Sequence, residues 1–246
     1  MENPNSRLTS EDMYIPPFWS LSLDQNYGQQ NAISFETSFT NLQNYHLEPT
    51  DPKEDGIRQP LELEFSSPKL DTDSFSRQGL HAVSEKLRDI LQLSKFEALF
   101  IDLKVSGVNP LMEQKNLQAL IFTGKEDVID LDKSDYRVTK SEFSDFDFRS
   151  MTTARFKPNV QTNRKVFRDA FFNQIFCTNE IALRLLSSDC VGFGLYHPGF
   201  VFGSHPIRLT REGLGRGTGK FKRNIGDYMT EILVPFDKLD FNSVEF

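Results

Sequence analysis

The stretch of this chain that comes closest to a catalytic motif is glycine-rich and basic, Gly213-Leu214-Gly215-Arg216-Gly217-Thr218-Gly219-Lys220-Phe221. A phosphate-binding P-loop requires a glycine five residues before Gly219, where Leu214 stands, and a Ser or Thr after the lysine, where Phe221 stands. We therefore interpret residues 203–224 as a solvated basic loop, with polyanion binding as the alternative. The residues that would bind a polyanion are Arg208, Arg211, Arg216, Lys220, Lys222 and Arg223.

The other reactive side chains form no catalytic or metal-binding pattern. The sequence contains no GxSxG or HExxH motif, and its four histidines are not spaced as metal ligands: His46, His81, His197 and His205. Cys177 and Cys190 lie in apolar surroundings and match neither a disulfide framework nor a CxxC pair, so we predict buried free thiols. We expect no catalytic residues, no metal site, no cofactor and no enzymatic activity.

Acidic side chains are concentrated between residues 126 and 147. This window holds eight acids against three bases. Because a surface of this charge attracts a cationic partner and raises the association rate, we predict that it binds one. A solvated face without a partner is the simpler interpretation of the charge alone. The acids are Glu126, Asp127, Asp130, Asp132, Asp135, Glu142, Asp145 and Asp147.

The elements that must position these acids lie mainly between Gly79 and Ser134. Ser84 before Glu85, with apolar residues at helical spacing up to Leu91, predicts a capped helix. Ala98–Val105 then alternates with period two, as a half-buried strand does. Two further apolar runs, Leu117–Phe122 and Val128–Ser134, are predicted to complete a central sheet.

Flanking segments predict more strands and one more helix. Leu61–Phe65 alternates as a short strand, and residues 165–176 form two apolar runs separated by a polar turn. Cys177–Leu186 has the pattern of a second helix. Residues 230–236 read as a last strand, at a sheet edge because Pro235 cannot donate to a ladder. We therefore predict an α+β fold with a mixed, mostly antiparallel sheet and a few packing helices.

We divide the chain into residues 1–60, an irregular N-terminal segment, and residues 61–246, the main domain with the basic loop. The first segment contains six prolines but also Trp19 and other aromatics, so we expect short strands packed on the main domain. We expect Trp19 to pack at the edge of the core rather than to form a binding hot spot.

Composition indicates a folded protein of the cytoplasm. The chain has 246 residues, a formal net charge of -7 and 38% apolar residues, which is too apolar for a disordered chain. No window approaches the length of apolar sequence that a membrane span needs, and Met1–Ser10 has no apolar signal-peptide core. We therefore expect a cytoplasmic location and no membrane partner.

Seven segments of the chain resemble a bacterial family once known only as a domain of unknown function. Members of that family lie beside polymorphic toxin genes and are regarded as immunity proteins that neutralise the toxins. The similarity extends over roughly residues 61–196, and the long aromatic N-terminal part and the basic loop depart from it. The segments are Leu61–Pro68, Val83–Leu91, Phe100–Val105, Val128–Ser134, Val166–Arg168, Ile175–Thr178 and Val191–Phe193.

The resemblance implies a non-enzymatic inhibitor that binds the C-terminal domain of a cognate toxin and blocks its active site. It transfers no catalytic residue. The acids of residues 126–147 are then the predicted toxin-binding surface. The alternative is a nucleic-acid-binding accessory protein that uses Arg208–Arg223, which the overall acidity and the lack of a reading motif make the weaker hypothesis. An enzyme that reverses the toxin's modification is a third hypothesis.

Overall fold

The computed structural model describes residues 16–23, 33–35, 61–65, 70–77, 80–139, 148–200, 207–210 and 232–235. The strands are β1 Phe18–Ser22, β2 Ile33–Phe35, β3 Leu61–Phe65, β4 Ser74–Arg77, β5 Leu80–Val83, β6 Ala98–Gly107, β7 Gln118–Phe122, β8 Lys125–Glu126, β9 Asp135–Thr139, β10 Phe148–Thr153, β11 Val166–Asp169, β12 Ile175–Thr178, β13 Gly194–Tyr196, β14 Ile207–Thr210 and β15 Ile232–Pro235. The helices are α1 Glu85–Leu91, α2 Pro110–Glu113 and α3 Asn179–Ser187, and a 3-10 helix spans Pro198–Phe200.

The strands form two mixed sheets and one separate pair. The larger sheet has seven strands in the order β15-β14-β13-β1-β12-β11-β8, and the smaller has six in the order β2-β3-β6-β7-β5-β4. Strands β9 and β10 pair with each other. Neighbours are antiparallel except for the pairs β3–β6, β8–β11 and β14–β15. The predicted α+β fold, with mostly antiparallel sheets and a few helices, is confirmed.

Both main helices lie in the segments that the sequence predicts, each directly after a strand, although Cys177 and Thr178 belong to β12 and α3 begins at Asn179. The Ser84 hydroxyl accepts a hydrogen bond from the backbone N–H of Leu87 at 3.1 Å, which caps the first turn of α1. Helix α1 buries Leu87 and Leu91, and α3 buries four apolar residues of its own. The two helices contact each other. Their apolar faces therefore belong to one core.

That core joins the two sheets. A single cluster of buried side chains contains Trp19 and Leu21 of β1, Leu120 and Phe122 of β7, and the apolar faces of α1 and α3. Strand β1 lies between β12 and β13, and the Trp19 indole donates to Asn179 Oδ1 at 2.7 Å. Trp19 is fully buried inside this cluster, which is deeper than the packing at the edge of the core that the sequence predicts.

The structure corrects two sequence predictions. Val128–Ser134 is not a strand of the central sheet: apart from an isolated bridge between Ile129 and Phe156, it forms a turn. Its apolar residues Val128, Ile129 and Leu131 pack in a core cluster on the larger sheet, and its backbone bonds to the segment after β10 instead of to a strand of the central sheet. Residues 207–210, predicted as part of the basic loop, form strand β14. The prediction of an edge strand around Pro235 is confirmed, because β15 ends the larger sheet.

The Asp73 carboxylate joins segments that are far apart in the chain. Its Oδ1 accepts hydrogen bonds from Ser84 Oγ at 2.9 Å and Lys115 Nζ at 3.2 Å, and its Oδ2 accepts from the backbone N–H of Val191 at 2.9 Å. The backbone of Asp73 also bonds to Ser84 and Val191. Asp73 therefore fixes the start of α1 against the loop that follows α3.

Gly192 permits this junction. Its φ is +99°, a conformation that residues with a side chain rarely adopt. A Cβ atom here would also collide with Thr72 Oγ1 and with the backbone of Ser74. The loop after α3 can approach the segment before β4 only because residue 192 has no side chain.

Glu97 makes a second connection, between the start of β6 and the start of β11. Its carboxylate accepts from the backbone N–H and hydroxyl of Ser94, at 3.0 and 2.8 Å, and from the backbone N–H of Lys165 at 2.5 Å. Burial opposes ionisation of Glu97, but these hydrogen bonds outweigh it and lower the pKa of the carboxyl. The charged carboxylate thus holds the two sheets together at this point.

We expect the substitution Asp73→Ala to lower the free energy of unfolding by about 3 kcal/mol, because it leaves Ser84 Oγ and the Val191 N–H without their buried acceptor. Denaturant unfolding measures this. The matched control is Asp71→Ala, which removes an exposed carboxylate that also contacts Lys115, at 2.7 Å. This control should cost less than about 0.5 kcal/mol. Equal losses for the two variants would contradict the role given to Asp73.

Candidate functional site

The predicted acidic window, residues 126–147, includes strand β9, which pairs with β10. We call this strand pair the ribbon. All five residues of β9 are exposed, whereas Met151 of β10 is buried in a core cluster on the larger sheet. Strand β10 packs against the 3-10 helix, and the N–H of Ala154 donates to the Pro198 carbonyl at 3.0 Å. The ribbon is therefore attached to the protein through β10 and presents β9 to solvent.

Hydrogen bonds to Ser134 fix the base of the ribbon. The Ser134 hydroxyl donates to the Asp130 carbonyl at 2.7 Å and accepts from the backbone N–H of Arg155 at 2.9 Å. The N–H of Asp130 in turn donates to the Arg155 carbonyl at 2.8 Å. These hydrogen bonds hold the residues before β9 against the residues after β10.

Three aromatic rings meet beside the ribbon. The Tyr136 ring packs edge-on against Phe171 and Phe172, with centroid distances of 5.5 and 5.6 Å, and the two phenylalanine rings are 4.8 Å apart. Edge-to-face contacts of this kind add stability beyond the area they bury. Tyr136 nevertheless remains 41% exposed and Val138 of the same strand 42% exposed. Large exposed aromatic and aliphatic side chains therefore lie among the acids.

A buried carboxylate, Asp169, holds the two phenylalanines in place. Its Oδ1 accepts from the backbone N–H groups of Phe171 and Phe172 at 2.9 and 2.7 Å, which closes the turn between β11 and β12. Its Oδ2 is buried without a hydrogen-bond partner. Burial raises the pKa of this carboxyl, and the two backbone hydrogen bonds only partly oppose the shift. Asp169 thus holds the aromatic cluster in position, although burial of its charged carboxylate is unfavourable.

The structure separates the eight predicted acids into two groups. Three of them, near the base of the ribbon, form ion pairs within the protein, each with a different base. Glu126 pairs with Arg164 at 2.9 Å, Asp127 with Lys157 at 2.5 Å, and Asp130 with Lys133 at 3.2 Å. Their charge is locally compensated, which weakens the attraction they exert on a distant cation.

Two of the other acids are exposed and form no ion pair with any residue that the structure describes. Asp132 lies in the turn before β9. Asp135 is the first residue of β9 and accepts a hydrogen bond from Thr153 Oγ1 at 3.3 Å. Glu142, Asp145 and Asp147 lie outside the described residues. Asp132 and Asp135 are therefore the acids best placed, in the described part of the chain, to act on a partner.

Arg164, the partner of Glu126, also contacts an exposed aromatic ring. Its guanidinium carbon lies 3.7 Å from the centroid of Phe96, and it donates a hydrogen bond to the Phe96 carbonyl. Phe96 is 64% exposed. Sequence reasoning missed Phe96, Phe171 and Phe172 as surface residues. For Phe171 and Phe172 the sequence did contain a signal, because an aromatic pair between Asp169 and Asn173 lies in a polar turn and therefore near the surface.

The predicted polyanion-binding residues lie almost entirely outside the described residues. Arg208 is the exception: it is half-buried in β14 and donates to the Phe193 carbonyl at 3.4 Å. The other five predicted residues lie outside the described part of the chain: Arg211, Arg216, Lys220, Lys222 and Arg223. Arg208 therefore contributes to sheet packing.

Both cysteines are buried and unpaired, as predicted. Burial raises the pKa of the Cys177 thiol and that of the Cys190 thiol, so both are poor nucleophiles. Among the described residues, no group of three or more His, Cys, Asp or Glu side chains is arranged to hold a metal ion. None of the helices in the described ranges is long and apolar enough to cross a membrane.

The raised pKa of Asp169 predicts a pH-dependent effect of the substitution Asp169→Asn. The folded protein binds this proton more tightly than the unfolded chain, so the contribution of Asp169 to stability falls as pH rises from 3.8, the ordinary value, through the raised pKa. The asparagine keeps an acceptor oxygen but cannot ionise. The variant should therefore gain stability relative to the native chain across this pH interval, as measured by denaturant unfolding. A difference that does not change with pH would contradict the prediction.

Comparison with known proteins identifies the family. A family model described as "Immunity protein family (Imm11)" matches residues 28–198, more than half of the chain. This range includes β2 to β13 and the whole ribbon. A search of curated proteins finds no match. The resemblance seen in the sequence is confirmed: this chain belongs to the Imm11 immunity protein family.

Proposed function

We propose that this protein binds the C-terminal domain of one cognate bacterial toxin and neutralises it by covering the toxin's active site. Membership of the immunity protein family over residues 28–198 carries this proposal, because an immunity protein requires a toxin as its partner. In this role the protein acts by occupying a surface and needs no catalytic group of its own.

The use of the buried carboxylates supports an inhibitor rather than an enzyme. Asp73, Glu97 and Asp169 all accept hydrogen bonds from backbone N–H groups of the fold. The oxygens engaged in this way stabilise the structure, which is the role that an inhibitor's fold requires of them. Other carboxylates face solvent, and two of them, Asp132 and Asp135, lie in the turn before β9 and at its first residue, where a protein partner can reach them.

The acids of the ribbon would speed the association. A toxin acting inside a cell does damage until it is bound, so a high association rate matters as much as affinity. Charged groups near an interface act mainly on that rate, through long-range attraction of an oppositely charged partner. Asp132 and Asp135, exposed and without an ion pair among the described residues, fit this steering role.

Co-expression with the C-terminal domain of the toxin encoded beside this gene tests the proposal. We expect the two chains to co-purify, and the growth defect caused by the toxin domain to disappear when this protein is present. If the protein restores growth without forming a complex, it acts on a target or a product, and the proposed inhibition by binding is wrong.

We expect the double substitution Asp132→Lys/Asp135→Lys to slow association with the toxin domain several-fold and to weaken its dependence on salt, with little effect on dissociation. Stopped-flow or surface-binding kinetics at two ionic strengths measure this.

The control for that experiment is Asp89→Lys/Glu113→Lys, which makes the same change in net charge at exposed sites on α1 and α2. Steering by the ribbon requires that this control slow association much less. Equal slowing by both double variants would indicate a response to net charge alone and would remove the ribbon from the steering role.

A further inference from the structure

Strand β9 has an edge that no described strand occupies. It pairs with β10 only, and all five of its residues are exposed. Such an edge presents backbone N–H and C=O groups to which another strand can add, and proteins commonly protect it with proline, a bulge or repelling charges. Strand β9 contains no proline, and the register shift of the ribbon lies between Met151 and Thr153 of β10. The backbone of β9 can therefore accept a further strand.

The charges of β9 determine which strand can add to it. Asp135 and Arg137 flank Tyr136 and, being two residues apart, lie on the same face of the strand. Both are exposed, and neither forms an ion pair with any residue that the structure describes. Because opposite charges at facing positions attract and like charges repel, the added strand needs a base opposite Asp135 and an acid opposite Arg137.

A second copy of β9 meets this requirement. When two identical strands pair antiparallel about a twofold axis at Tyr136, residue 135 of each copy faces residue 137 of the other. Asp135 then lies opposite Arg137 twice, once on each side of the axis. Registers centred on Asp135 or on Arg137 would instead bring two like charges together. The charges of β9 therefore favour the register centred on Tyr136.

The opposite face of the strand supports the same register. Tyr136 would lie beside its own copy, and facing side chains of an antiparallel pair are close enough for two aromatic rings to pack. The Tyr136 ring is 41% exposed and contacts Phe171 and Phe172. A ring held in this way before association loses little conformational entropy when it is buried. Pairing would thus extend the aromatic cluster of each copy across the axis.

We propose that two copies of this chain associate through β9, in antiparallel register about Tyr136, so that the two ribbons form one continuous sheet. Two strands of five residues bury little surface, so the self-association is weak, with a Kd of micromolar order. The inference goes beyond the proposed function and does not depend on it. At the low concentrations used to measure association with a toxin the dimer is dissociated, and Asp135 is then available for steering.

Sedimentation velocity of the full-length chain, from low to high micromolar concentration, tests the proposal. We expect the native chain to shift from monomer to dimer over this range. Asp135→Arg and Arg137→Asp should each weaken the dimer by about tenfold or more, because each substitution creates two like-charge contacts. Circular dichroism and denaturant unfolding confirm that each variant is folded.

A mixture of the two variants gives the most specific result. An Asp135→Arg chain and an Arg137→Asp chain carry complementary charges at both facing positions, so the mixture should dimerise although neither variant does so well alone. The double variant Asp135→Arg/Arg137→Asp should also dimerise. The controls Asp132→Arg and Lys95→Asp make the same charge changes at exposed positions outside β9 and should keep the Kd within about threefold of the native value.

Each other outcome overturns a defined statement. A native chain that stays monomeric throughout this range overturns the proposal. Dimerisation that neither charge reversal weakens places the contact on another surface, and the inference about β9 is wrong. If both reversals weaken the dimer but their mixture does not restore it, the register about Tyr136 is wrong. If a control weakens the dimer as much as the reversals do, net charge governs the association and the facing positions do not.

Discussion

The hydrogen bonds of the buried Asp73 carboxylate determine how the two halves of this protein meet. One oxygen binds the residue that caps α1, and the other binds the backbone of the loop that follows α3. Because α1 and α3 belong to the core that both sheets share, the contacts of this one side chain set the mutual position of helices and sheets. Gly192 is required at the same junction, since a side chain there would separate the segments.

Asp73 is one of three buried carboxylates that connect segments in the described part of the chain. Removing a carboxylate from water is costly unless its oxygens are hydrogen-bonded, and backbone N–H groups supply most of those bonds here. Glu97 joins the two sheets, and Asp169 closes the turn that supports the aromatic cluster. Some carboxylates of this chain thus connect segments of the fold, whereas others remain on the surface.

Under the proposed function, surface charge and exposed apolar side chains would act on a partner in different ways. Unpaired surface charge acts at a distance and accelerates encounter, whereas apolar contact acts only once water has been excluded. Asp135 and Tyr136 are successive residues at the start of β9, and Asp132 lies in the turn before it. The ion pairs of Glu126, Asp127 and Asp130 reduce the contribution of these acids to the attraction.

The sequence by itself determined the local elements: the capped helix after Ser84, the alternating strand β6, the edge strand ending at Pro235 and the family resemblance. Each depends on residues within a few positions of one another, where spacing alone decides which side chains share a face. It failed for Val128–Ser134, whose apolar residues predict a strand but pack in a core cluster from a turn. The tertiary structure alone decided that Glu126 is compensated and that Asp73 is a buried junction, because Arg164 lies 38 residues from Glu126 and Val191 lies 118 residues from Asp73. Contacts over such distances follow from the packing of whole sheets, and no local pattern of residues encodes them.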